Sequence, residues 1–185
     1  MVIENFAELS FEEQKKFAEA LVKTINTENI FTDQVDFKVE SIEADEMTGG
    51  LIIVLEYEGT INVDRDASWS CSHPDDAYQI PDSPVFNYFD FVDAKKAFKT
   101  LAVELEGYSV TLSVDDVDTE NIVDVEVSEI NEEDDGIGSY DHFGYIGYDS
   151  RPYLAVEGTL TQACYVYCSL YVEAADHFQA DVEEE

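Results

Sequence analysis

A two-residue alternation of apolar and polar side chains runs through most of this chain and restricts what it can fold into. Val123, Val125 and Val127 alternate with acidic or hydroxyl side chains. Successive side chains of a β-strand point to opposite faces, so each such segment predicts a strand with one apolar and one polar face. Strands of this kind suit an antiparallel sheet that is covered on one side and meets water on the other. The same alternation recurs over 35–40, 55–64, 110–115, 154–160 and 164–172.

Two segments repeat with the period of a helix instead. Ser10 and Glu13 have the spacing of a capping box, and apolar residues then recur every three or four positions from 11 to 25. A similar apolar stripe predicts a second helix over 91–105. Together with the strands, these helices predict an α+β protein in which helix-plus-antiparallel-sheet units present one acidic, solvent-facing sheet surface.

Short segments of the first half match segments of the second half in the same order, beginning with the two helices. An internal duplication explains the matches, and the alternative is that amphipathic strands resemble one another. We therefore expect a first helix-plus-strands unit over 1–72, a connection with three prolines over 73–90, and a second, related unit over 91–185.

Charge is the second strong constraint, because 43 acidic residues face 9 basic ones and the net charge is −34. Such an excess excludes direct binding to nucleic acid or to an anionic membrane, which both need basic patches. Repulsion among like charges also destabilises the folded state, so the excess of acidic residues needs an explanation. The predicted acidic partner-binding face comprises Asp36, Glu40, Glu56, Glu58, Asp64, Asp115, Asp116, Asp118, Asp124, Glu126, Glu132, Glu133, Asp134, Asp135 and Glu157.

Aromatic side chains form a second group of candidate contact residues. Tyr165, Tyr167 and Tyr171 share one face of the last predicted strand, where they either pack internally or form a contact surface such as a dimer interface. The predicted aromatic rim lies in the long loop over 131–152 and comprises Tyr140, Phe143, Tyr145 and Tyr148.

The three cysteines allow two interpretations. Cys164 and Cys168 fall on the apolar side of a predicted strand, which favours buried thiols. The alternative is a zinc site that joins them to Cys71 and His73, although this spacing is a poor match to known zinc knuckles.

No catalytic motif emerges from the remaining residues. The three histidines lie outside any recognisable nucleophile motif, and the glycines lack the neighbouring lysine of a phosphate loop. The loop that starts at Asn131 has the beginning of an EF-hand, but its twelfth position is His142 where calcium needs a bidentate Glu. We expect no enzymatic activity, no cofactor and no resident metal, with a weak calcium site as the alternative.

Regular strands space carboxylates in a way that approximates a phosphate array. Side chains at i and i+2 lie about 6.7 Å apart, and neighbouring strands are about 4.8 Å apart. In size, composition and strand-borne carboxylates, the whole chain resembles the acidic DNA-mimic inhibitors of phages and mobile elements, the anti-restriction and anti-CRISPR proteins. No specific family motif carries this resemblance. It implies a non-catalytic inhibitor that blocks a DNA- or RNA-binding nuclease of a bacterial defence system.

Two alternative causes of the charge stay open. One is that the protein is an acidic chaperone that sequesters basic nucleic-acid-binding proteins. The second is a solvated acidic coat of the halophilic kind, which the ratio of 7 Lys to 2 Arg disfavours. The first ten residues lack the basic and apolar regions of a secretory signal, so we expect the protein in the cytoplasm of a bacterial host.

Overall fold

The computed structural model describes residues 1–133 and 153–175, and within them the α+β class is confirmed. These residues form two α-helices, two short 3₁₀ helices (Phe6–Glu8 and Pro74–Tyr78) and seven β-strands. The α-helices are α1 (Phe11–Thr27) and α2 (Asp90–Lys96). The strands are β1 (Lys38–Ala44), β2 (Leu51–Glu56), β3 (Ile61–Cys71), β4 (Val85–Phe86), β5 (Ala102–Leu105), β6 (Tyr108–Glu133) and β7 (Tyr153–Ala174).

The strands form a sheet in the order β1-β2-β7-β3-β4, and β6 pairs with both β5 and β7. The pairings β1–β2, β2–β7, β3–β4 and β5–β6 are antiparallel, as the alternation predicts. Between β2 and β7, Leu51 lies opposite Val172 and Leu55 opposite Cys168. The strands predicted over 154–160 and 164–172 are one continuous strand, β7, and those over 110–115 and 123–128 are both part of β6.

The second predicted helix is wrong beyond Lys96. Residues 102–105 form β5, which a two-residue turn at Glu106 and Gly107 joins to β6. Both turn residues have positive φ, 53° and 89°, which is the conformation of a tight hairpin turn. Leu101 and Leu105 fit an alternating pattern as well as a helical one, and the hairpin decides between them.

Two strand predictions also need correction. The strand expected over 35–40 starts only at Lys38, because the side-chain amide of Asn26 takes both backbone hydrogen bonds of Phe37. The strand expected over 55–64 is interrupted by the connection between β2 and β3, where Gly59 has φ 101°.

The chain divides into two compact units, each assembled from separate stretches of sequence. Within the described residues, unit 1 contains 1–61, 94–118 and 164–175, and unit 2 contains 62–93, 119–133 and 153–163. The predicted division at 72 and 90 and the internal duplication stay predictions.

Unit 1 is built around α1, whose first turn is capped as predicted. The Ser10 hydroxyl accepts a hydrogen bond from the Glu13 amide (3.3 Å), and the Glu13 carboxylate accepts one from the Ser10 amide (2.8 Å). The predicted apolar stripe of this helix is buried at Ala18, Leu21 and Ile25. Because α1 packs against β1, the sheet of unit 1 has one covered and one open face.

Unit 2 contains a buried ion-pair network around Arg65, whose side chain is only 5% exposed. Arg65 Nε donates to Asp93 Oδ2 (3.0 Å), and Nη2 lies 2.6 Å from Asp90 Oδ1. Nη1 donates to Gln162 Oε1 (2.8 Å), and the guanidinium carbon lies 3.6 Å from the ring centroid of Phe86. The network therefore joins β3, α2, β4 and β7.

An apolar cluster around Trp69 completes the core of unit 2, together with Ala77, Val156 and Leu160. The indole N–H of Trp69 donates to the carbonyl of Ala77 (3.2 Å). Gly158 is required beside this ring, since a Cβ there would collide with the carbonyl oxygen of Glu126 on β6.

We predict that Arg65→Met destabilises the protein by about 3–5 kcal/mol, because it leaves the fully buried Asp93 without its counter-charge. Replacing both partners in Arg65→Met/Asp93→Leu should restore much of this loss. Urea unfolding measures both effects. Lys38→Met is the matched control, since its exposed pair with Glu58 is worth less than about 1 kcal/mol. A loss for Arg65→Met no larger than the control would contradict the assignment.

A second prediction concerns the helix cap and its pH dependence. Hydrogen bonds from the Ser10 amide and hydroxyl hold the pKa of Glu13 below its ordinary value. A lowered pKa stabilises the folded state above the unfolded value, and this contribution disappears as pH falls through the folded pKa. Ser10→Ala should cost about 1 kcal/mol at pH 7 and clearly less near pH 3, as followed by urea unfolding at both pH values. An equal loss of stability at both pH values would show that the Glu13 carboxylate does not contribute to the cap.

Candidate functional site

The predicted acidic face contains fifteen residues, and the side chains of eleven of them are described. All eleven are exposed. The backbone of Glu132 and Glu133 belongs to β6, but their side chains lie outside the described part. Asp134 and Asp135 lie outside the described residues altogether, as does the predicted aromatic rim of Tyr140, Phe143, Tyr145 and Tyr148.

The open sheet face of unit 2 carries carboxylates that neighbouring strands hold in place. The Thr161 hydroxyl on β7 donates to Asp64 Oδ1 on β3 (2.8 Å), and the Thr159 hydroxyl donates to Asp66 Oδ1 (3.3 Å). These bonds place the polar positions of β3 and β7 on one face and limit the rotation of both carboxylates.

Strand β6 adds carboxylates to the open side of unit 2. Val125 and Val127 pack against the apolar cluster around Trp69, so the exposed Asp124 and Glu126 point away from it. Glu157 follows the same alternation on β7 as Thr159. We call Asp64, Asp66, Asp124, Glu126 and Glu157 the unit 2 acidic face.

In the described part of unit 2, no exposed Lys or Arg accompanies these carboxylates. Over 62–93, 119–133 and 153–163 the only Lys or Arg is Arg65, which is buried in its own ion-pair network. Carboxylates on a strand recur at about 6.7 Å, and adjacent strands lie about 4.8 Å apart. The described part of unit 2 therefore presents a regular negative surface to which no Lys or Arg side chain contributes.

The open face of unit 1 is different, because it carries tyrosines. Tyr165, Tyr167 and Tyr171 share one side of β7, as predicted, and are 38%, 50% and 42% exposed. Ile52 on β2 lies directly opposite Tyr171, and Val54 lies opposite Ser169 on the same side. We call Ile52, Val54 and the three tyrosines the tyrosine face. A partly apolar sheet face of this kind provides contact area for a protein partner.

Acidic residues border the tyrosine face. Asp115 on β6 is held by the hydroxyls of Ser113 (3.1 Å) and Ser169. Burial, and to a lesser degree the charge of Asp115, raises the pKa of the Cys168 thiol to about 12. This thiol stays protonated at neutral pH and is a poor nucleophile.

The cysteines otherwise agree with the prediction of buried thiols, since Cys164 and Cys168 are each 1% exposed. His73, which the alternative zinc site needs, accepts a hydrogen bond from the Asp75 amide (3.2 Å) at the start of a 3₁₀ helix. Among residues 1–133 and 153–175, no three His, Cys, Asp or Glu side chains are grouped so that they could hold a metal ion. Most of the loop considered for calcium lies outside those residues.

Sequence reasoning missed two acidic residues of these faces. Asp66 was overlooked because the strand was expected to end near residue 64, whereas β3 continues to Cys71. The apolar residues Ala67 and Trp69, which continue the alternation beyond Asp66, could have extended the predicted strand. Glu43 lies opposite Ile52, so it borders the tyrosine face, but only the strand register reveals this.

Comparison of the sequence with protein-family models and with curated proteins gives no match, and comparison with solved structures gives none either. The two α-helices of the described region are too short or too polar to cross a membrane.

We predict that salt stabilises this protein against urea. Raising ionic strength from about 0.01 M to about 0.1 M shortens the Debye length from about 30 Å to about 10 Å and screens repulsion between the carboxylates. The urea midpoint should rise equally in NaCl and KCl, and rise less for Asp124→Asn/Glu126→Gln. A midpoint that is flat or falls with salt would mean that repulsion on these faces is already neutralised.

Proposed function

We propose that this protein is a non-catalytic inhibitor that imitates nucleic acid and occupies the DNA- or RNA-binding surface of a nuclease of a bacterial defence system, in the manner of anti-restriction or anti-CRISPR proteins. The observation that carries the proposal is the unit 2 acidic face, a regular array of exposed carboxylates with no exposed Lys or Arg in the described part of that unit. The proposed location is the cytoplasm of the bacterial host, where such a nuclease works.

The physical basis is counterion release. A nuclease binds duplex DNA by setting Lys and Arg against phosphates, which carry one charge per about 1.7 Å of helix axis. An acidic sheet with strand-spaced carboxylates offers those cations comparable partners, and its own counterions are released in the same way. Complementary fields also speed the encounter, so the inhibitor competes kinetically with DNA.

Rigidity supports this function over general solvation. Asp64 and Asp66 are held by threonine hydroxyls across the sheet. Side chains ordered before binding lose less entropy when they meet a partner, so an ordered array binds more tightly than a mobile one of equal charge. The tyrosine face of unit 1 supplies contact area in addition to the charge.

The direct experiment is capture from a bacterial lysate that expresses CRISPR and restriction nucleases, with the tagged protein as bait and mass spectrometry to identify what is retained. The proposal expects one nucleic-acid enzyme that is retained through a moderate-salt wash and is displaced by added DNA. A salt-labile mixture of basic proteins would instead indicate an acidic chaperone that sequesters nucleic-acid-binding proteins.

Charge reversal on the strands should abolish binding to the captured enzyme. The variant carries Lys in place of Asp66, Asp124, Glu126 and Glu157, which are exposed strand residues of the unit 2 acidic face, so the fold should survive. We expect affinity to fall at least about 100-fold, or about 3 kcal/mol, because attraction to target cations becomes repulsion. Calorimetry measures the affinity, and circular dichroism checks the fold.

The matched control reverses four exposed acids away from the strands: Glu4, Glu19, Glu28 and Asp82. Both variants change the net charge equally, from −34 to −26, since each Lys replaces one acid and adds two charges. Equal losses in both variants would show that total charge matters and the faces do not. Undiminished inhibition by the strand variant would show that the contact lies elsewhere.

A further inference from the structure

A small cavity in unit 1, about 270 Å³ in volume, opens where β2 ends. The carboxylate residues Glu40 and Glu56 line it together with Tyr57, Tyr165 and Tyr167. We call it the Tyr–Glu cleft. It continues the tyrosine face, since two of the exposed tyrosines of that face form part of its lining.

Irregularities in β1 and at the end of β2 create this cleft. The register of β1 shifts between Val39 and Ser41, so Glu40 lies at a bulge. Beyond Glu56 the β2 ladder stops, and the Val166 amide donates its hydrogen bond to the Tyr57 hydroxyl. Bulges commonly re-aim a side chain at a functional position.

The wall of the cleft is fixed before any partner arrives. The Tyr57 ring packs edge-on against Phe37, with ring centroids 5.8 Å apart. Phe37 is in turn tied through its backbone to the side chain of Asn26. Burial raises the pKa of Tyr57 to about 12, so its phenol is neutral at physiological pH.

The chemistry of the lining selects a cation. The cleft brings two carboxylates and three aromatic rings together without a Lys or Arg among its lining residues. Lys38 on β1 lies opposite Glu56 in the β1–β2 pairing, and its ammonium lies 3.2 Å from the Glu58 carboxylate. The volume lies below the roughly 300 Å³ at which pockets for drug-sized ligands begin, so one side chain is the fitting occupant.

We propose that the Tyr–Glu cleft binds the guanidinium group of one arginine side chain of the partner protein. Arginine fits better than lysine because its planar guanidinium stacks on aromatic rings and bonds carboxylates in pairs. A second copy of this chain is disfavoured, since each copy carries a net charge of −34. This inference rests on the proposed function in taking a basic protein as the partner, and it adds the contact that fixes the orientation.

The test uses the intact protein and a short blocked peptide, acetyl-Gly-Arg-Gly-amide, in a nitrogen-15 NMR titration. We expect saturable shifts at the amides of Tyr57, Tyr165 and Tyr167. The lysine peptide should bind more weakly, and the citrulline peptide, which keeps the shape and loses the charge, at least about 10-fold more weakly. Glu40→Gln/Glu56→Gln should weaken the arginine peptide by about 10-fold, or about 1.4 kcal/mol.

The control variant is Glu28→Gln/Glu46→Gln, which removes two exposed charges of unit 1 that belong neither to the tyrosine face nor to the lining of the cleft. It should bind the arginine peptide like the unchanged protein. Equal weakening by both variants, equal binding of the citrulline peptide, or shifts confined to the unit 2 acidic face would overturn the inference. So would a dimer that buries Tyr165, detected by sedimentation.

The two proposals fail separately. If the arginine peptide binds in the cleft and no nuclease is captured, the cleft stands and the proposed function falls. If a nuclease is captured and displaced by DNA while the peptide leaves the Tyr57 and Tyr165 amides unmoved, the proposed function stands and the cleft falls.

Discussion

The guanidinium of Arg65 holds unit 2 together from a position that the alternation along β3 assigns to the apolar core. Ile61, Val63, Ala67 and Trp69 point to the same side of the strand and are buried with it. Asp93 and Asp90 on α2 neutralise the charge, and Gln162 on β7 accepts a further hydrogen bond. The Gln162 amide then donates to the Glu120 carbonyl on β6 (2.9 Å), so one cation organises a helix and two further strands. Breaking such a network from one side leaves an uncompensated buried charge, which costs more than losing an exposed ion pair.

Burying this arginine also shapes the outside of unit 2. Arg65 is the only Lys or Arg over 62–93, 119–133 and 153–163, so the charge that could have relieved repulsion among the surface carboxylates is used inside. Asp64 and Asp66 flank Arg65 in sequence, yet they point to the opposite face because strand side chains alternate. The two-residue period of β3 thus places Arg65 in the interior and Asp64 and Asp66 on the surface. The apolar cluster around Trp69 and the Arg65 network must together outweigh the repulsion that this separation leaves on the surface.

Local sequence signals predicted what depends on local geometry. The capping box at Ser10 and the stripe that follows fix α1, and the alternation fixes which acids face water. The helix over 91–105 failed because Leu101 and Leu105 satisfy both periods, and the turn at Glu106 and Gly107 selects the strand. The Tyr–Glu cleft lay beyond sequence reasoning, since it depends on a bulge in β1 and on the pairing of β2 with β7. Residues more than 100 positions apart form that cleft, and no spacing along the chain brings them together.

The difference between a solvated acidic coat and a binding surface lies in how the carboxylates are held. A coat needs only hydration, and mobile side chains provide it at the lowest entropic cost. Here Thr161, Thr159 and Ser113 donate hydrogen bonds to Asp64, Asp66 and Asp115, which restrict those carboxylates before any partner binds. Charge spread over a regular array gives long-range attraction that falls with salt, whereas an aromatic cleft gives short-range contact that depends on shape. The proposed inhibitor must reach a nuclease before DNA does and then stay bound, which requires both properties. This requirement is the physical reason to interpret the acidic face of unit 2 and the tyrosine face of unit 1 as parts of one function.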